Sequence, residues 1–378
     1  MDEEFKTPGQ LLEHLLEERR WSQRTLAIVI GKGEAAINKI IAGKQALDAE
    51  TALILEEVFG VPAERFLALQ RDFDLAIARA SARPDPQRAN RAHIFGGLPV
   101  GEMSKRGWLG LLNIRDLRQV ERALATFFGV ETTGEIEFLP HAARKTAVNS
   151  EATPVQLAWI YRARSMAAEM VVQPYSPAKL EAALPELRSL LVSAENARLV
   201  PRILERVGIR FVVVEGLPSA KIDGVCFWLG DQSPVIGMSL RHDRIDNFWF
   251  VLRHELEHVR LGHGKDHVIL DAELDGERAG SGPNVPAEER VANIAGAEFC
   301  VPQAQMQAFV DRKAPLFSER DMVGFARSIG VHPGLVAGQL QHLTGRYDRF
   351  RQHLEKVRTH VVKTAYVDGW GNIAPVGE

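Results

Sequence analysis

The stretch DNFWFVLRHELEHVRLGHG, residues 246–264, constrains what this chain can fold into more than any other. It carries His254, Glu255 and His258 in the order His-Glu-x-x-His, among Phe248, Val251, Leu252 and Val259, whose spacing predicts a half-buried helix. On a helix, side chains at i and i+4 share one face a turn apart, so both imidazoles can reach a single Zn2+ ion at ~2.0–2.1 Å. Glu255 sits about 100° round from His254, where it can take a proton from a water that the ion has acidified. A site of this kind needs a third protein ligand from a second element and one open position.

Downstream, EERVANIAGAEFCVP places Glu289 on another predicted helix, with Asn293 one turn later as a supporting amide. Glu289 is the expected third ligand and Glu288 its rival. A third histidine in the HExxHxxGxxH manner is ruled out, because Leu261 and Gly264 stand where Gly and His are required, so His263 is not assigned as a ligand. His332 and His342 lie in later helical segments as candidates for stabilising an oxyanion. Cys226 and Cys300 form no CxxC pair and read as buried thiols.

The first eighty residues have a different texture. Thr7 and Pro8 open a helix carrying Leu11, Leu12, Leu15 and Leu16; Ser22 caps a second, which stops at Gly31-Lys32-Gly33. A third, EAAINKIIA, turns Ile37, Ile40 and Ile41 inward and Glu34, Asn38 and Lys39 outward. Asp48 caps a fourth helix ended by Gly60, and Pro62 starts a fifth. Five short helices with a Gly-containing turn make a helix-turn-helix bundle. Residues 1–80 hold ten Lys/Arg against fourteen Asp/Glu, so long-range attraction to DNA is poor and contact must come from a local patch.

Between these regions, RPDPQRANR has linker composition, and residues 105–200 hold amphipathic stretches without a cluster of ligating or nucleophilic groups. After Gly208, IRFVVVE, GVCFWLG and PVIGMSL are apolar runs of strand length. From Tyr347 onward, high charge followed by DGWGNIAPVGE suggests a helix and a tail. No apolar run reaches the ~18 residues of a membrane span and the acidic start MDEEFKT is unlike a secretory signal, so a cytoplasmic protein with no membrane partner is expected. The fold class is mainly α with a small β-sheet, α+β. Its expected parts are residues 1–80, a DNA-binding bundle; 81–186, linker and helical scaffold; 187–345, a zincin-like domain; and 346–378, a C-terminal helix and tail.

Two resemblances sharpen this reading. Residues 8 to 77 resemble XRE-type helix-turn-helix domains, and IAGKQALDAETALILEEVFGVPAERFLALQRDFDL is similar to their HigA-type antitoxin branch. That resemblance implies Gln23 and Lys44 near phosphates and Lys32, Asn38 and Lys39 near the major groove of double-stranded operator DNA, bound by a homodimer. Glu34 departs from the usual uncharged residue. FWFVLRHELEHVRLGH with EERVANIAGAEFCVP resembles the ImmA/IrrE family of zinc metallopeptidases, over roughly Leu187 to Gln341. It implies His254, His258 and Glu289 as zinc ligands and Glu255 as catalytic base, with Glu257 and Val291 as departures that remove neither. Together these imply a DNA-binding regulator with latent endopeptidase activity toward a protein substrate such as a repressor, or toward itself. The alternative is a HigA-like repressor or antitoxin whose second domain holds metal as a non-catalytic sensor.

Overall fold

The computed structural model describes residues 5–83, 87–111, 113–136, 143–145, 150–265, 268–272 and 286–369. The chain divides into two compact units, Met1–Arg88 and Ala89–Glu378.

The first unit is built from α1 (Pro8–Glu18), α2 (Gln23–Ile30), α3 (Glu34–Ile41), α4 (Ala49–Phe59) and α5 (Ala63–Ser81). Thr7, Ser22 and Asp48 each accept a backbone N–H of the first turn, supplying the donors' missing partners. Gly31 and Gly60 end α2 and α4 in the left-handed conformation, which glycine enters without strain. The core is Leu11, Leu12, Leu15, Leu16, Leu26, Ile37, Ile40, Leu55 and Phe66 with their neighbours, while Ile41 is only half-buried.

In the second unit, α6 (Gln87–Gly97), α7 (Val100–Lys105) and α8 (Leu117–Phe128) lead to strands β1 (Ala143–Lys145) and β2 (Ser150–Glu151) and then to α9 (Pro154–Glu169). α10 (Pro177–Ser189) and α11 (Val200–Val207) precede β3 (Arg210–Val213), β4 (Ile222–Trp228) and β5 (Pro234–Met238). The His-Glu-x-x-His motif lies in α12 (Ile245–Leu261), followed by β6 (Val268–Ala272). Then come α13 (Ala287–Cys300), α14 (Gln303–Lys313), α15 (Glu319–Ser328), α16 (Pro333–Thr344), the short α17 (Arg358–Val361) and β7 (Tyr366–Val367).

The strands form one mixed sheet in the order β2-β1-β6-β4-β5-β3-β7. β4 and β5 are buried along their whole length, which is why they read as continuous apolar runs without polar alternation. Alternation survives as a choice between two cores. Cys226, Trp228, Ile236 and Ile269 join the cluster of α12, α15 and α16, whereas Val225, Phe227, Val235 and Leu270 join the cluster of α8 and α9. On that second face Trp159 is fully buried and its indole donates to the Val214 carbonyl at 3.1 Å.

Two expectations about organisation are revised. Helices α6 to α9 cover one face of the sheet and α10 joins the core on the other, so scaffold and zincin-like region share a single unit. Residues 84–86 of the expected linker lie outside the described residues, and the chain is helical from Gln87. The segment after Tyr347 returns to the sheet: Asp243 accepts the N–H groups of Val357 and Arg358 at 3.0 and 2.7 Å, and β7 pairs with β3. The tail from residue 370 lies outside the described residues.

Candidate metal centre

α12 presents its site-bearing face to the sheet. His254, Glu255 and His258 are fully buried, and α13 runs beside them. The Nε2 atoms of His254 and His258 lie 3.0 Å apart. Glu289, from the first turn of α13, places Oε2 3.3 Å from His254 Nε2 and Oε1 3.1 Å from His258 Nε2. Glu288, one residue earlier, is exposed, because a single helical step turns its side chain away from α12. The carboxylate brought to the two histidines is therefore that of Glu289.

A fourth group belongs to the cluster and has no counterpart in the motif. Asp271 on β6, 1% exposed, holds Oδ2 3.3 Å from His254 Nε2 and 4.0 Å from His258 Nε2. One ligand atom from each of His254, His258, Asp271 and Glu289 falls within 4.8 Å of the others. Asp271 pairs with Gly224 across the β4–β6 ladder, at an irregularity between Ile222 and Gly224. Its parity is that of Ile269, which directs it toward α12.

Gly224 explains how Glu255 fits. A Cβ at this position would stand 2.0 Å from Glu255 Oε1, 2.8 Å from Cδ and 3.0 Å from Cγ, so the Glu255 side chain occupies the volume a side chain on β4 would fill. Neither oxygen of Glu255 has a hydrogen-bond donor among the described residues. Burial, and then the nearby Asp271 carboxylate, push Glu255 well above the usual carboxylate range, with His254 opposing. Burial acts against charge on His254, yet Asp271 and Glu289 outweigh it and raise that imidazole well above its ordinary value. Burial, Glu255 and Asp271 also raise the Cys226 thiol, so it stays neutral, and burial pushes Cys300 up to about 12.

Two imidazoles and three carboxylates thus share a buried volume, an arrangement that a divalent cation would compensate. The donor set fits zinc: nitrogen and oxygen atoms only, and ligand-to-ligand separations close to the ~3.3 Å of a tetrahedral ion with ~2.0 Å bonds.

His263, excluded as a ligand by spacing, has a supporting place. Its Nδ1 lies 3.0 Å from His258 Nδ1, and its carbonyl accepts the Trp228 indole N–H at 2.7 Å. For His258 to offer Nε2 to an ion, its proton must rest on Nδ1 and be donated to His263. Burial keeps His263 below its ordinary value and able to accept. No sequence rule used for the third ligand would find this role, although Gly262, left-handed at the end of α12, signals the turn that brings His263 back.

The remaining expectations fall outside the cluster. Glu257 is 2% exposed and held by Arg253 at 2.7 Å and Arg260 at 2.9 Å. Burial opposes its charge, but the hydrogen bonds from Arg260 and Arg253 prevail and bring the carboxyl down to about 2. Asn293 is half-buried, and among the described residues no hydrogen bond joins it to Glu289, so no amide support for that carboxylate is seen. His332 caps α16, its Nδ1 accepting from the Gly334 N–H at 3.1 Å and its Nε2 lying 3.3 Å from Glu355; His342 is exposed. Both are committed to structure or solvent rather than to the site.

In the first unit, Asn38 on α3 donates to the side chain of Gln23 on α2 at 3.3 Å, and Lys39 and Lys44 are exposed. Lys32 is turned to α4, its ammonium donating to the Thr51 hydroxyl at 2.8 Å. No described helix is long and apolar enough to cross a membrane.

Comparison with known proteins agrees with this division. Residues 12–66 match the helix-turn-helix family, here of XRE type, and residues 204–316 match the IrrE N-terminal-like domain, a metallopeptidase-type family. Among solved structures, an addiction module antidote protein of a HigA family from Coxiella burnetii is 28% identical, over 21% of this chain and 95% of that one, with a TM-score of 0.18. No curated protein matches the chain.

Proposed function

We propose that the chain is a DNA-binding regulator whose second unit is a zinc endopeptidase acting on a protein substrate such as a repressor, or on the chain itself. The observation that carries this reading is the convergence of His254 Nε2, His258 Nε2 and Glu289 within 3.0–3.3 Å, beside the buried carboxyl of Glu255. His254, His258 and Glu289 would hold the ion, which supplies Lewis-acid polarisation of a peptide carbonyl and acidifies water.

The chain's own residues do the rest. Glu255, wedged against Gly224, is fixed close to the ligand set, so in its ionised form it can take a proton from water and deliver it to the departing amine. His263 fixes the ring orientation and tautomer of His258. In the first unit, α3 would enter the major groove, with Asn38 and Lys39 toward base edges and Gln23 and Lys44 toward phosphates, on a palindromic operator bound by a homodimer in the cytoplasm. Lys32 would have to exchange Thr51 for a DNA group to take part.

The non-catalytic alternative draws on Asp271, since four protein groups suit a closed, structural zinc site. A structural site has no need of a buried carboxyl such as Glu255, which costs folding energy and gives nothing to coordination. The test is Glu255→Gln: zinc content and fold should be kept and cleavage of the cognate protein lost, because an amide cannot accept the proton. Wild-type cleavage rates in that variant, with metal bound, would remove Glu255 as base and leave a sensor or structural role.

A further inference from the structure

Asp271 calls for more than membership of the cluster. We propose that Asp271 is a fourth protein ligand that seals the metal site in this conformation and has to withdraw before a peptide can be hydrolysed. This rests on reading His254, His258 and Glu289 as zinc ligands.

The contacted atom is the first argument. A carboxylate that only orients a ligating imidazole sits at the nitrogen facing away from the ion, as His263 does at Nδ1 of His258. Asp271 instead meets His254 at Nε2, the nitrogen shared with Glu289 and with His258. Nδ1 of His254 is buried and has no hydrogen-bond partner among the described residues.

The second argument is position relative to the base. Asp271 meets Nε2 of His254 at 3.3 Å and stands across the ladder from Gly224, against which Glu255 packs, so its carboxylate lies beside both the ligand set and the general base. That is the place an attacking water must occupy. With Asp271 there, Glu255 faces a second carboxylate in place of a water.

The third argument is the fold. β6 lies between β1 and β4, paired with both, and the ladder sets Asp271 opposite Gly224, the residue against which Glu255 packs. One strand position thus governs both the ligand set and the base. Asp271 can leave by rotation of its side chain or by release of the five residues of β6 from β4.

The experiment uses the full chain with Co2+ in place of zinc, whose visible bands report ligand number. Asp271→Ala and the volume-preserving Asp271→Asn are compared with wild type, and acetohydroxamate serves as a small probe for an open coordination position. Both variants should show shifted cobalt bands. The alanine variant should bind acetohydroxamate at concentrations at least tenfold below those needed by wild type, and should cleave protein substrates faster. Zinc affinity, measured against a chelator, should fall at least tenfold in the alanine variant. Superimposable cobalt spectra and equal acetohydroxamate binding in all three proteins would overturn the assignment while leaving the other ligands standing. A wild-type chain that takes up neither ion would overturn the ligand set and this inference with it.

Discussion

Gly224→Ala is the sharpest test of how Glu255 is seated. The added methyl would lie 2.0 Å from Glu255 Oε1, about 1.4 Å short of ordinary contact. The strand cannot yield easily, because β4 is hydrogen-bonded on both sides and buried throughout. Glu255 must yield instead, within a fully buried space it shares with Asp271 and Cys226. Overpacking of this kind costs roughly 1–3 kcal/mol. For a unit of this size that is a fall of several degrees in Tm, at ~2–4 °C per kcal/mol. If the chain is the peptidase proposed, a 1 Å displacement of a reacting group should also cost on the order of a hundredfold in kcat, with zinc content little changed. The assay is thermal denaturation alongside metal analysis and cleavage of the cognate protein. An alanine variant with wild-type Tm would refute the account of Gly224 as the seat of Glu255, whatever the activity.

Three other outcomes are expected. Glu289→Ala should lose zinc binding whereas Glu288→Ala should keep it; metal analysis showing the reverse would overturn the ligand assignment. Glu257→Gln should lower stability at neutral pH by about 2 kcal/mol, since it leaves Arg253 and Arg260 without their counter-charge. Because the folded-state value of Glu257 is depressed to about 2 from 4.5, its stabilisation is present above 4.5 and lost as pH falls toward 2, so acid unfolding of the Gln variant should show a shallower pH dependence in that window. In binding assays with duplex operators, Asn38→Ala should relax base preference, while Lys44→Ala should weaken all sequences evenly and reduce the salt slope by ~1.

What the sequence disclosed depended on how local the signal was. The caps Thr7, Ser22 and Asp48 and the stops Gly31 and Gly60 act on their own helices, so the first five helices follow directly from residue order. The pair His254 and His258 is equally local, one turn of one helix. Glu289 could be reached because it too follows a helical rule, once a second helix is granted. Asp271 could not be reached: VILDA is a short apolar run with one acid, and only its pairing with β4 carries that acid to the histidines. Gly224 is likewise mute until α12 is laid against it. Strand β7 is two residues long, too short for any periodicity, and its segment was expected to be helix and tail. Glu257 shows the converse: in the sequence it is only a departure from the family pattern, and the fold shows two arginines on α12 holding it in the interior.

The sheet with a core on each side also bears on what can be excised from this chain. The stretch that matches the IrrE-like family, residues 204–316, is not by itself a unit of folding. A fragment cut at those bounds keeps all four clustered groups and Glu255, yet lacks α9, whose Trp159 and Ala163 lie against Gly237 of β5. Val212, Val225, Phe227 and Val235 would then face solvent as one continuous oily surface. Such a fragment should precipitate or bind indiscriminately, and its behaviour would say little about the intact protein. The portable piece begins before α9 and runs through β7, so recombination that shuffles the His-Glu-x-x-His motif must carry a helical backing and a C-terminal edge strand along with it.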